Sequence, residues 1–263
     1  MNAAMSVSGL TFGYGESPVF ADLSFSVEKG SILCILGPNG TGKSTLIKCL
    51  AGLLAPQGGA VEVDGTPLFS LRAHERARRI GYVPQAHSST FPYTVLDMVS
   101  LGRAPHLGLF AAPSAADYGI ARASLEAVGI LHLGGRPSTE ISGGELQLAL
   151  IARVLTQQPN ILLLDEPTAH LDFGNQMRIL SVVRRLSRDG MTVVMSSHFP
   201  DHAFVASDTV AIMRDRSFKA MGAPEEVITD ESMKETYGIG VRVTDVPGIV
   251  RRKVCVPLMD EKS

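Results

Sequence analysis

Gly37-Pro38-Asn39-Gly40-Thr41-Gly42-Lys43-Ser44 follows the pattern G-x-x-x-x-G-K-S/T, a spacing suited to holding phosphate. Glycines let the backbone curl so that successive N–H groups face phosphate oxygens, and the start of a following helix adds its positive end. Lys43 brings a point charge, Ser44 a hydroxyl able to ligate magnesium, and Thr45 continues the cradle, so Gly37 to Thr45 are all candidate nucleotide-binding residues. A glycine-rich turn without nucleotide is the plain alternative. Against it stands the context, an apolar run Ile32–Leu36 before the loop and helical patterning over 45–50 after it. A second apolar run, Ile161–Leu164, ends in Asp165-Glu166. Charges are costly to desolvate unless paired or metal-bound, so two acids at such an exit are either solvated or in use. Beside a phosphate loop, Asp165 is expected to hold magnesium through its water shell and Glu166 to orient or deprotonate an attacking water.

The elements that must position these groups form an α/β fold. Continuous apolar runs at 32–36, 161–164, 192–195 and 209–213 read as parallel strands covered on both faces, the core sheet of a P-loop NTPase. Segment 7–27 alternates with period two, through Leu10, Phe12, Tyr14 and then Leu23, Phe25, Val27, and predicts an N-terminal antiparallel β-subdomain, with Val61 and Val63 as a further strand. The stretch between the first two buried runs is too long for one crossover helix. Its helical patterning broken by Gly and Pro predicts a helical subdomain inserted at about 86–158, within a single domain spanning 1–263. In the tail, Val241, Val243 and Val246 with Val254 and Val256 predict an edge strand.

Composition narrows the functional classes. With 24 Lys+Arg against 26 Asp+Glu, nothing calls for a polyanion-binding surface, and no nucleic-acid partner is expected. Cys34, Cys49 and Cys255 lack metal-ligand spacing and read as packing residues in a reducing compartment. No run reaches the roughly 18 to 20 apolar residues of a membrane span.

Ser142-Gly143-Gly144, upstream of Asp165 and followed by Ile151-Ala152-Arg153, resembles the signature motif of the ATP-binding subunits of ABC transporters. Other motifs of that family fall in order around it. Gln85 in Val83-Pro84-Gln85 resembles the Q-loop, Asp172 in Ala169-His170-Leu171-Asp172 the D-loop, His198 the switch histidine, and Tyr14 the aromatic that stacks on adenine. Singly each has a bland reading: a polar loop residue, a helix cap, a strand-end histidine, a core aromatic. The resemblance covers about residues 6 to 230 and implies ATP and Mg2+ as ligands, with Glu166, His198 and Gln85 catalytic and Ser44, Gln85 and Asp165 at the metal. It further implies that Ser142, Gly143, Gly144 and Asp172 act on the nucleotide of a second copy of the chain. The implied partners are transmembrane permease subunits and, indirectly, a periplasmic or lipoprotein substrate-binding protein, with the chain at the cytoplasmic face of the membrane.

Two positions depart from the family pattern. Glu145 replaces a usual Gln after Ser-Gly-Gly, and Ser142-x-x-Glu145 reads as a capping box, in which either residue can bond back to the cap amide. Phe199-Pro200 stands where an acidic residue commonly follows the histidine. The remaining histidines, His87, His106, His132, His170 and His202, are expected at the surface or in caps. Segment 94–106 and Asp172-Phe173-Gly174-Asn175-Gln176 resemble the metal-chelate importers, so an iron complex is the expected cargo, with molybdate/tungstate or cobalamin as alternative. A soluble ABC ATPase outside transport is the alternative class. Phe91, Pro92 and Tyr93, just past Gln85, are expected to form a groove for a short permease helix.

Overall fold

A computed structural model of the chain describes residues 3–15, 17–85, 92–108, 110–246, 248 and 252–258. The period-two segment forms two long antiparallel strands, β1 (Ala3–Tyr14) and β2 (Ser17–Glu28). Buried strand β3 (Ile32–Leu36) then leads through the glycine loop into α1 (Lys43–Leu50). β4 (Gly58–Val63) and the two-residue β5 (Thr66–Pro67) return to the first sheet, whose order is β2-β1-β4-β5.

The chain next makes a short helix, α2 (Ala73–Arg79), and a strand the sequence reading did not anticipate, β6 (Ile80–Val83). Only four residues long, with Gly81 and Tyr82 inside it, β6 has too little apolar signal to be told from loop. Helices α3 (Val95–Ser100), α4 (Ala115–Ala127) and α5 (Gly143–Leu155) follow. β7 (Ile161–Leu164), α6 (Phe173–Arg188), β8 (Thr192–Ser197), α7 (Pro200–Ala206), β9 (Thr209–Arg214) and β10 (Ser217–Gly222) complete the central sheet. Its order is β10-β9-β3-β8-β7-β6, parallel except for β10. β8 and β9 run past their expected ends, β8 by the two polar residues Ser196 and Ser197.

Because successive side chains of a strand point to opposite faces, β3 divides the core. Ile32, Cys34 and Leu36 face a cluster shared with Val95, Val99, Leu125, Leu148 and Ile151 of the helical layer, while Leu33 and Ile35 face α1 and the antiparallel sheet. The helical layer is fastened at depth by Arg103, whose guanidinium donates to Asp117 Oδ1 (2.8 Å), to the Thr156 carbonyl (3.0 Å) and to Gln158 Oε1 (3.0 Å). A buried charge is tolerated when so fully partnered.

The tail differs from expectation. After α8 (Pro224–Val227) and α9 (Asp230–Tyr237), strands β11 (Val241–Asp245) and β12 (Lys253–Pro257) pair only with each other among the described residues, as a separate antiparallel ribbon. The Cys255 N–H donates to Asp201 on α7 (2.9 Å), which ties the ribbon to the helix after β8 and not to the sheet edge.

Candidate active site

The loop between β3 and α1 needs left-handed backbone at two points, Gly40 (φ 81°) and Gly42 (φ 99°), where a side chain would be strained. The curl brings the Gly37 and Pro38 carbonyls to Lys43, whose ammonium donates to both at 2.8 Å. Thr41 closes the loop with a 3.0 Å bond to the Pro38 carbonyl. Lys43 is 4% exposed. Burial pulls its ammonium below the usual lysine range, against the opposing pull of the Glu166 and Asp165 carboxylates and Cys34.

Asp165 and Glu166 emerge from β7 beside this loop. Asp165 Oδ1 accepts from Ser44 Oγ (2.8 Å) and from Ser196 Oγ at the end of β8 (2.9 Å). The hydroxyl and carboxylate are two hard oxygens side by side, a donor set suited to a small divalent cation that keeps several waters and takes phosphate oxygens. Among the described residues no group of three or more His, Cys, Asp or Glu could hold a metal by itself, so these residues fit only a cation that arrives with further ligands.

Glu166 adopts a left-handed backbone (φ 45°), which costs a non-glycine residue energy and is held by its surroundings. Its N–H donates to Ser196 Oγ (2.9 Å) and its carbonyl accepts from Ala169 N (3.0 Å), closing a turn. The turn aims the carboxylate, 7% exposed, over the loop. There Oε1 lies 3.3 Å from the Lys43 ammonium, while Oε2 accepts from Gln85 Nε2 (3.0 Å) and faces His198 Nδ1 (3.2 Å). Facing a carboxylate, that nitrogen carries the proton. Four strands therefore converge on one acid: β7 carries it, β3 supplies the lysine through its loop, β6 the glutamine and β8 the histidine.

Tyr14, Val19, Asn39, Gly40, Gly42, Lys43, Ser44, Thr45, Gln85 and Glu166 line one open cleft of about 360 Å³. Tyr14 is 60% exposed, edge-on to Phe12 (centroids 5.1 Å apart), so it is not the core aromatic of the bland reading. Ser142, Gly143, Gly144 and Asp172 do not line this cleft; they gather at a second place, the facing starts of α5 and α6. The capping box is present: Ser142 Oγ accepts from Glu145 N (3.3 Å), and Glu145 Oε2 accepts from Ser142 N and Oγ (2.8 Å each). Those bonds hold the Glu145 carboxyl below the usual range. Asp172 caps α6, its carboxylate accepting from the Asn175 N–H (2.8 Å) and Nδ2 (2.7 Å). The Asn175 side chain fills the space where a Cβ on Gly144 would sit, so glycine there lets the two helix starts meet.

Three residues behind the site escaped the sequence reading. Ser196 bonds both acids and was hidden beyond the expected end of its strand. His202, expected at the surface or in a cap, is 4% exposed, its Nδ1 3.2 Å from Thr168 Oγ1 and 3.3 Å from Ser197 Oγ. Burial, reinforced by nearby His198, pulls its pKa down to about 4. Tyr237, from α9, donates its hydroxyl to the His198 carbonyl (3.0 Å). Residues 86–91, including Phe91, lie outside the described residues, while Tyr93 is 53% exposed with its carbonyl accepting from Ser138 N (2.8 Å).

The family model described as ABC transporter matches residues 20–169. The molybdate import ATP-binding protein MolC of Haemophilus influenzae is 39% identical over 90% of this chain and 89% of its own length. The hemin import ATP-binding protein HmuV of Nocardia farcinica is 39% identical over 87% of this chain and 79% of its own length. Among solved structures, an inward-facing transporter described as of the metal-chelate type superposes with a TM-score of 0.87 at 35% identity, covering 98% of both chains.

Proposed function

Since the chain belongs to the ABC transporter ATP-binding family, we propose that it is the ATP-hydrolysing motor of an importer, acting as a pair of copies beneath separate membrane-spanning subunits. The observation that carries the reading is the buried Glu166 carboxylate, held by Lys43, Gln85 and His198 at the mouth of the phosphate loop. The loop from Gly37 to Thr45 binds the phosphates through those of its backbone N–H groups that face the cleft, Lys43 exchanges its carbonyl partners for phosphate oxygens, and Tyr14 offers a ring face to adenine. Magnesium bound with the nucleotide, held by Ser44 and Asp165 with Gln85 at its edge, would neutralise charge on the β- and γ-phosphates. Glu166 orients the attacking water and takes its proton, while His198 contacts the γ-phosphate.

The second cluster supports the pairing. Ser142, Gly143 and Gly144 stand at a helix start away from the cleft of their own chain, so they and Asp172 act on nucleotide held by another copy, which two bound ATP molecules join head to tail. In this reading the chain is one nucleotide-binding domain with a helical subdomain at about 86–158, seated at the cytoplasmic face of the membrane by its permease. No helix among the described residues is long and apolar enough to cross a membrane, and this reading gives the pore to other chains. A substrate-binding protein outside the membrane acts only through that permease.

The cargo is an iron complex. The hemin relative and the metal-chelate transporter support this reading, while the equally similar molybdate relative favours an oxyanion as the second. Phosphate release from MgATP by the purified chain tests the enzyme; no release above a Glu166→Gln control would overturn it. Uptake of labelled ferric chelate against labelled molybdate, with the permease co-expressed, decides the cargo.

A further inference from the structure

Phe199 breaks the acidic pattern after His198, and its ring lies between two histidines, 4.0 Å from the His198 ring and 4.9 Å from the His202 ring. Pro200 then starts α7, whose first turn carries His202 back beneath the end of β8. There the His202 ring touches both loops that hold the reacting groups. Thr168 sits inside the turn that Glu166 closes with Ala169, and Ser197 immediately precedes His198. The main chain of His198 is fixed once more, from the far end of the sequence, by the Tyr237 hydroxyl on its carbonyl.

We propose that His202, Phe199 and Tyr237 form a clamp of positioning residues that sets where His198 stands relative to Glu166, with His202 as its hinge pin between the two loops. The His202 Nδ1 lies within hydrogen-bond distance of both the Thr168 and the Ser197 hydroxyls, and burial keeps the ring uncharged, so one ring bridges the two loops. The Glu166 turn and the His198 loop are thereby joined by side chains that need not touch nucleotide. Tyr237 acts on His198 through its backbone, and Phe199 packs its ring against both His198 and His202. The clamp makes the far C-terminal helix α9 part of the ATPase apparatus although none of its residues lines the cleft.

The inference rests on the ATPase reading, and wild-type turnover of the full-length chain tests that first. Given wild-type turnover, His202→Ala and Tyr237→Phe lower kcat about 10- to 100-fold, the scale of a misplaced reacting group. KM for MgATP and the affinity for a non-hydrolysable ATP analogue stay at wild-type values, because the cleft is untouched. His202→Asn, whose Oδ1 can stand where Nδ1 stood, recovers most of the lost kcat. In a His198→Ala background the clamp variants produce no further loss, since they act through a side chain already gone. Unchanged kcat in the folded single variants overturns the proposal, as do losses that multiply fully with His198→Ala or a parallel rise in KM. Variants that merely melt earlier while the folded fraction turns over normally make these residues structural and equally sink it.

Discussion

The Glu166 side chain, 7% exposed, has a lysine, a glutamine and a histidine gathered on its two oxygens. Glu166→Gln keeps the shape and removes the base, so ATP affinity by titration calorimetry remains near wild type while kcat falls about 10²- to 10⁴-fold. Lys43→Ala has the opposite profile in binding: it deletes the cation that meets the phosphates, and both the calorimetric affinity and turnover collapse. A Lys43→Ala chain that binds ATP normally would remove the glycine loop from its assigned role. Residues of this kind were legible because their chemistry is local in sequence. Gly37 to Ser44 is one uninterrupted pattern, and Asp165-Glu166 closes an apolar run. Ser196, His202 and Tyr237 were not legible, because each depends on a bond formed 30 or more residues away.

At the scale of elements, the start of α5 shows how a departure from a family pattern can be neutral in geometry. Glu145 reaches back to the Ser142 amide as the capping box requires. Glu145→Gln therefore folds and hydrolyses ATP, whereas Glu145→Ala loses the bond to the cap amide and is less stable in denaturant unfolding. The pH dependence has a definite sign. A carboxyl held below its ordinary value stabilises the fold above the ordinary glutamate pKa and loses that contribution as pH falls through the lower folded value. The advantage of wild type over Glu145→Ala is thus full at neutral pH and shrinks in acid; an advantage that grows on acidification would refute the box. The antiparallel sheet and strands β3, β7, β8 and β9 were readable from period and apolar run length. Short β6 was not, nor was the pairing of β11 with β12, because alternation marks a strand without naming its neighbour.

For the whole molecule, the separation of the cleft from the Ser142 cluster predicts an assembly that depends on nucleotide. Glu166→Gln with MgATP should double in mass by light scattering, while Lys43→Ala remains at the mass seen without nucleotide; a monomeric Glu166→Gln at saturating MgATP would refute head-to-tail pairing. Tyr93, 53% exposed, is one of the residues expected from the sequence to receive the permease. Tyr93→Ala is expected to keep basal turnover in the isolated chain and to lose co-purification with the permease, and retained assembly would place docking elsewhere. The bond from Gln85 to Glu166 joins these two scales, since Gln85 closely follows β6 and lies in sequence between that strand and α3 of the helical layer. Any rearrangement there that stretches the 3.0 Å bond changes the free energy of the Glu166 carboxylate, and thermodynamic reciprocity requires the debt to run both ways. A cargo-loaded permease pressing on that layer would then alter affinity for nucleotide by the same factor by which nucleotide alters the chain's grip on the permease, so one equilibrium constant measured at either end reports the coupling at both.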